Sequence, residues 1–333
     1  MTAPRYDVIG IGNAIVDVLS YSDEDFLKRQ KMPKGSMSLI DEPRAEAIYN
    51  AMGPVIEVSG GSAANTIVGV AMLGGKAAFV GKVKNDELGE TFARDIRASG
   101  VAYSTPMATD GPSTARCYIL VTPDGQRTMN TYLGAAQNLG PADISEDEVA
   151  AASVLYLEGY LWDPKDAKEA FVKASKIAHG AGRKVALTLS DAFCVGRYRK
   201  EFLQLIRDKT VDLLFANEAE LKSLYETADF DTAVTALRKD ASIAVVTRSE
   251  KGAMVVTRDA TETVPAFPIE RVVDTTGAGD LFAAGFLFGF ARGKPHTDSL
   301  RLGALCAAEI ISHLGARPER KLIDLANEHG LLA

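Results

Sequence analysis

Four short runs decide the fold: VLYL at Val154–Leu157, VALTL at Val185–Leu189, VDLLFA at Val211–Ala216 and IAVVT at Ile243–Thr247. Each is mostly apolar and rich in β-branched or aromatic side chains, and each is followed by a segment with helix-like character. Tyr6–Ile11 and Ala77–Val83, further out along the chain, have the same character. Strands alternating with helices in this way build a parallel, doubly wound α/β sheet flanked by helices on both faces. The expected helices run from Ser62 to Leu73, stopped by Gly74-Gly75, and over Leu88–Ala98, Asp166–Ala181 and Asp231–Arg238.

Two stretches break that rhythm. Val16–Tyr21 with Ser36–Ile40, and Ala115–Thr122 with Arg127–Leu133, read as strands joined by turns rather than by long helices. Pro123-Asp124-Gly125-Gln126 is a turn signal, since Pro pre-sets φ and Gly tolerates positive φ. These pieces are expected to form a small discontinuous β-sheet lid, from about residues 14–41 and 113–135, on a single α/β domain covering 1–333. No internal repeat or long linker interrupts the chain.

Composition narrows the function. With 37 Lys+Arg against 44 Asp+Glu, the formal charge of -7 provides no basic footprint for a nucleic-acid backbone. Cys117, Cys194 and Cys306 are scattered and lack CxxC spacing, and the four histidines form no HExxH-type cluster, so neither a disulfide framework nor a zinc centre is expected. The apolar run Leu281 to Ala291 is bounded by Asp280 and Arg292, short of the roughly 20 residues a bilayer requires. It reads as a buried helix. Met1 to Asp17 does not read as a secretion signal, and the expected location is cytoplasmic, with no membrane and no nucleic-acid partner.

The richest chemical signal is Asp274-Thr275-Thr276-Gly277-Ala278-Gly279-Asp280, running straight into that apolar helix. Small residues with permissive backbones let several N–H groups converge at a helix start, where the positive dipole end favours anions. Asp280 there has two readings. It can simply complement the dipole, or it can take a proton from a substrate hydroxyl while the N–H nest at that helix start holds the charge of a transferring phosphoryl group.

Gly60-Gly61-Ser62-Ala63-Ala64-Asn65 allows close backbone approach to a ligand, with Ser62 as a helix cap and Asn65 as donor and acceptor, although an ordinary capped turn would look the same. Asp17, where the first strand should leave the sheet, could accept from a vicinal diol or stand exposed at a strand end. Asn217-Glu218-Ala219-Glu220 has capping-box spacing, and Glu220 could also order the magnesium of a nucleoside triphosphate, directly or through water.

Several motifs are excluded. Gly10-x-Gly12 would need its third glycine at Ile15, so a dinucleotide fingerprint fails on spacing. There is no GxxxxGK[ST] and no GxSxG, which disfavours a P-loop kinase and a nucleophile-elbow hydrolase.

The order of these motifs over nearly the whole chain resembles the ribokinase-like, or PfkB, family of carbohydrate and nucleoside kinases, with its adenosine kinase branch closest. Residues 274 to 289 are similar to that family's C-terminal signature and residues 60 to 89 to its N-terminal one. Gly12-Asn13 leading to Asp17, Gly134-Ala135-Ala136, and Leu189-Ser190-Asp191-Ala192-Phe193 look like segments of the adenosine kinase branch, and Ser62 stands where ribokinases usually carry Lys.

The resemblance implies Asp280 as catalytic base and Gly277, Ala278 and Gly279 as anion hole. It implies Asn13, Asp17, Gly60, Gly61, Ser62 and Asn65 around the acceptor, and Arg127 over the transferred phosphate. Tyr160, Leu161 and Phe193 would wall a purine. On the ATP side stand Asn217, Glu220, Thr247 and Gly252, the last two similar to a T-x-G-x-x-G segment with Ser249 in place of its middle glycine. Mg²⁺ near Glu220 and ATP as co-substrate are implied, with room for a monovalent cation, in a monomer or homodimer. The implied reaction is transfer of the ATP γ-phosphate to a primary hydroxyl, most simply that of adenosine. The alternatives are a sugar kinase acting on ribose, fructose or a related sugar and, more remotely, a non-catalytic purine-binding regulator.

Overall fold

The computed structural model describes residues 3–332. A nine-stranded sheet runs in the order Thr261–Val264, Ala253–Thr257, Ile243–Thr247, Leu213–Asn217, Lys184–Thr188, Ala152–Glu158, Tyr6–Ile11, Ala77–Val80 and Val101–Tyr103. All pairings are parallel except those of the two strands at the Thr261 edge. Its apolar strands are covered on both sides. One face packs Val8, Phe79, Tyr156 and Phe215 against the helices Ser62–Met72, Ala278–Ala291 and His296–Ile310. The other packs Ile9, Leu155 and Leu187 against Phe171 and Phe202 of the helices Lys165–Gly180 and Ala192–Arg207.

The chain starts in the middle of this sheet at Tyr6–Ile11, builds one wing through Ala77–Val80 and Val101–Tyr103, and returns to build the other from Ala152–Glu158. Strand order therefore reverses between Tyr6–Ile11 and Ala152–Glu158. In open α/β sheets the crevice beyond the carboxyl ends of strands at such a reversal is where ligands bind. Asn13 follows one of these strands after Gly12, and Glu158 ends the other.

A second, five-stranded sheet has the order Met37–Leu39, Arg127–Tyr132, Ala115–Val121, Ile15–Tyr21 and Ile56–Gly60. It corrects the sequence reading in two places. Ile56–Gly60 is a fifth strand, paired antiparallel with Ile15–Tyr21, and its half-polar sequence IEVSG carries too weak an alternation to stand out. A one-turn helix, Glu24–Arg29, capped by the Asp23 side chain, separates the first two expected strands. In the large sheet, Tyr6–Ile11 passes straight into the second sheet rather than into a helix. Ile243–Thr247 is likewise followed by a short 3-10 turn and an antiparallel strand, because Gly252 ends that turn and reverses the chain.

The helix Ala278–Ala291 is buried from Leu281 to Gly289 on every side, as its uniformly apolar sequence requires. Among the described residues, no helix is long and apolar enough to cross a membrane.

Candidate active site

The loop before that helix is tied by Asp274, whose carboxylate accepts from the Thr276 N–H at 3.0 Å, the Thr276 hydroxyl at 2.8 Å and the Gly315 N–H at 3.1 Å. Gly277 then caps the helix in the left-handed conformation, with φ 78°, a geometry costly for any residue with a Cβ. Glycine has no side chain to accept from the helix start, and the Gly277, Gly279 and Asp280 N–H groups donate to no described residue, whereas the Ala278 N–H, expected in the anion hole, donates instead to the Thr275 carbonyl at 3.2 Å. The result is a helix N-terminus with donors uncommitted to the fold.

Asp280 lies in the first turn of this helix, where its carboxylate accepts from the Ser62 hydroxyl at 2.6 Å and from Asn65 Nδ2 at 3.2 Å. Burial pushes its proton affinity up, while those two hydrogen bonds and the charge of Arg317 hold it down. Ser62 is therefore not the helix cap its position suggested. Gly61 is the cap, at φ 98°, where a Cβ would lie 2.2 Å from the Asn13 carbonyl oxygen, and this frees the Ser62 side chain for Asp280. The Oδ1 of Asn65 is buried without a partner and remains available as an acceptor.

Asp17 sits opposite Val58 in the second sheet, its carboxylate seated on the bare backbone of Gly60. Burial pushes it up to about 6; Arg317 and Arg127 oppose that rise and Asp280 adds to it. Two nearby residues were absent from the sequence reading. Glu158, 1% exposed, accepts from the Asn13 N–H at 3.2 Å, Asn13 Nδ2 at 2.6 Å and the Ala63 N–H at 2.8 Å, so one carboxylate ties both glycine-containing turns together. Burial raises it to about 7. A Cβ at Gly12 would fall 2.4 Å from its Oε2, which gives Gly12 its reason without a dinucleotide. The only sequence signal for Glu158 is a carboxylate ending a buried strand at the point where strand order reverses. Arg317, in the loop after the His296–Ile310 helix, had no local signal at all.

The second sheet reaches this place through Arg127. Its Nη1 lies 2.7 Å from the Asp274 carboxylate, and both side chains are more than nine-tenths buried. None of its guanidinium nitrogens makes an aligned hydrogen bond. The contact is thus a charge pairing that leaves the five-donor fork undirected.

Asn217 and Glu220 form the expected capping box: the Glu220 N–H donates to Asn217 Oδ1 at 2.9 Å, and the Asn217 N–H donates to Glu220 Oε2 at 3.0 Å. Glu220 is pushed up to about 7, chiefly by burial, with Asp191 and Asp280 adding to the rise through their charge. Asp17, Glu158, Glu220 and Tyr160 all lie close enough to Asp280 to feel its charge. Tyr160 is held by Ser190, donating its N–H to Ser190 Oγ at 3.1 Å and its hydroxyl to the Ser190 carbonyl at 3.3 Å. Phe193 is 71% exposed, with the Arg197 guanidinium 4.9 Å from its ring centre. Thr247 ends a strand and Gly252 opens the following hairpin; neither makes a hydrogen bond to the carboxylate group.

Residues 46–321 match the profile described as pfkB family carbohydrate kinase. The chain belongs to the PfkB family. This PfkB kinase is 52% identical to a solved adenosine kinase from Sinorhizobium meliloti, which superposes with a TM-score of 0.91 over 98% of this chain and 99% of that one. It is 51% identical to a probable sugar kinase from Rhizobium etli CFN 42, with a TM-score of 0.92 over 98% and 99% of the two chains. An adenosine kinase of Saccharomyces cerevisiae is 28% identical over 97% of this chain and 99% of its own length. The PfkB kinase has the ribokinase-like fold and is a phosphotransferase with an alcohol acceptor and ATP as co-substrate.

Proposed function

We propose that this kinase phosphorylates the 5′-hydroxyl of adenosine, with Asp280 as general base. The observation that carries the reading is the placement of Asp280 at the mouth of an open helix N-terminus, oriented by Ser62 and Asn65. The likeness over nearly the whole chain to an adenosine kinase supports adenosine as acceptor.

In this mechanism Asp17 and the free Oδ1 of Asn65 accept from the ribose hydroxyls, which fixes the 5′-oxygen beside Asp280. Asp280 takes the proton as the bond from that oxygen to the γ-phosphorus forms and the bond to the ADP oxygen breaks. The N–H groups of Gly279 and Asp280, with the guanidinium of Arg127 once it leaves Asp274, offset charge on the transferring group. Tyr160 is the better-held wall for the base, while Phe193 would have to be covered by the ligand itself. Closure of the second sheet as a lid, with Arg127 moving from Asp274 to the phosphoryl group, would exclude water.

The donor set suits magnesium that arrives with the nucleotide. Among the described residues no cluster of three or more His, Cys, Asp or Glu could cage a metal, and both Glu220 oxygens already accept from Asn217. Mg²⁺ is commonly held by one or two carboxylates, water and phosphate oxygens, so Glu220 would act through water. When bound, the ion would offset negative charge on the nucleotide's phosphates.

The likeness to a probable sugar kinase favours a second reading, phosphorylation of a free sugar by the same machinery. Adenosine, inosine, ribose and fructose offered separately with ATP and Mg²⁺, with ADP formation as readout, test both. Adenosine is expected to give the largest kcat/KM; a larger value for ribose or fructose overturns the nucleoside assignment, and nucleoside binding without ADP formation would favour a regulator.

A further inference from the structure

The half-buried arginine of the C-terminal loop, Arg317, has no part in the mechanism above, yet its contacts converge on the machinery. Arg317 Nε donates to the Ser59 carbonyl at 3.0 Å, Nη2 donates to the same carbonyl and to Ser59 Oγ at 2.8 Å, and Nη1 donates to the Ala64 carbonyl at 3.4 Å. Ser59 lies near the end of the strand Ile56–Gly60 and Ala64 in the first turn of the helix Ser62–Met72, on either side of Gly60, Gly61 and Ser62. One planar fork therefore spans the segment that seats Asp17 and supplies the Ser62 hydroxyl to Asp280. The far side is anchored as well: Ser59 donates its N–H and hydroxyl to Asp95 at 2.7 and 2.6 Å.

We infer that Arg317 is a positioning residue for phosphoryl transfer, clamping the Ser59–Ala64 segment so that Ser62 and Asn65 hold Asp280, and placing a fixed positive charge behind Asp280 and Asp17. The inference rests on the assignment of Asp280 as base. Enclosure lowers the Arg317 proton affinity only to about 10, so it stays charged wherever the enzyme works. The groups that hydrogen-bond Asp280 or lie within reach of its charge are Ser62 and Asn65 from the Ser62–Met72 helix, Asp17 from the second sheet, Tyr156 and Glu158 from the central strand, Tyr160 just beyond it, Glu220 at the start of the Glu218–Leu224 helix, and Arg317. Arg317 is the cation whose charge bears on Asp280 itself. Its removal should make that carboxylate harder to ionise.

The test compares wild type, Arg317→Met, Arg317→Lys and Asp280→Asn, each checked for folding by circular dichroism and thermal melting, with kcat and KM followed from about pH 5 to 9. Arg317→Met should lower kcat at neutral pH by about 10-fold and move the acid limb of the kcat profile about one unit to higher pH. Arg317→Lys keeps the charge but cannot span two carbonyls, so its limb should return to the wild-type position while kcat stays about 3-fold low. A merely structural arginine would lower melting temperature and kcat without moving the limb. A folded Arg317→Met whose acid limb coincides with wild type overturns the inference. If Arg317→Met does not fold, wild-type kcat in Arg317→Lys overturns it. Asp280→Asn separates the two readings: turnover surviving in that variant removes the base assignment itself, whereas its loss beside an unmoved Arg317→Met profile removes only the role of Arg317.

Discussion

The helices Glu218–Leu224 and Ala278–Ala291 differ in what meets their first N–H groups. At the first, Asn217 and Glu220 satisfy each other reciprocally, so the helix has a cap of its own side chains, although the Glu218 and Ala219 N–H groups donate to no described residue. At the second, Gly277 supplies the turn but no acceptor, and donors at Gly279 and Asp280 stay uncommitted. The Ser62–Met72 helix lies between these extremes, since its glycine cap is compensated by Glu158, which accepts from Ala63 across the crevice. A helix end closed by its own side chains contributes stability, whereas one left open by glycine forgoes a cap in order to receive an anion.

Arg127→Gln should produce the largest effect on that contrast after loss of the base, because it removes the Asp274-paired cation that the proposed mechanism brings to the open end. A fall in kcat of about 10³-fold is expected from phosphate-stabilising arginines, with little change in acceptor KM. Steady-state kinetics check it, and an unchanged kcat would break the link between the second sheet and the phosphoryl site.

Gly279→Ala is the cleaner probe of the open helix start. Its added methyl meets no protein atom within 4 Å, so stability should hold. The methyl enters the space where the transferring group is held, and kcat should fall by roughly 10²-fold, as for misplacement by about 1 Å. Melting temperature and kcat measured on one preparation separate the two expectations.

A smaller effect is expected on acceptor binding. Burial pushes Asp17 up to about 6, so acidification through that pH would convert the ion proposed to accept from the ribose hydroxyls into a neutral acid. KM for the acceptor should rise about 10-fold below pH 6 in the wild type, roughly the worth of a charged hydrogen bond. Asp17→Asn should show a raised KM at every pH and no such inflection.

Asn217→Ala sharpens the comparison from the closed side. Loss of the box should cost about 1 kcal/mol of stability by denaturant titration. Its kcat should drop only a few-fold, less than that of Gly279→Ala; the reverse ranking would show that the closed helix start carries more of the chemistry than the open one.

What was legible in advance follows from how local each feature is. The loop at Asp274 to Asp280 and the box at Asn217 and Glu220 are written in adjacent residues, and both stand where the sequence places them. Ser62 was misread as a cap because its competitor for that position, Gly61, is chosen by a contact with Asn13, far away in the chain. Glu158 and Arg317 went unseen for the same reason: their partners are Asn13 and Ala63 in one case, Ser59 and Ala64 in the other. The strand Ile56–Gly60 owes its existence to an edge offered by Ile15–Tyr21 rather than to its own weak alternation.

The amino-acid sequence by itself determined the alternation of buried strands and helices, the buried helix after Asp280, and the small-residue turn before it. Periodicity, caps and turns depend on neighbours within about four positions, and these the chain order specifies directly. Only the tertiary structure decided that Ser62 and Asn65 hold Asp280, that Arg127 pairs with Asp274, and that Asp17 and Glu158 resist ionisation. Those properties are sums of burial and charge from segments remote in sequence, and they come into being only when the crevice between the two sheets is assembled.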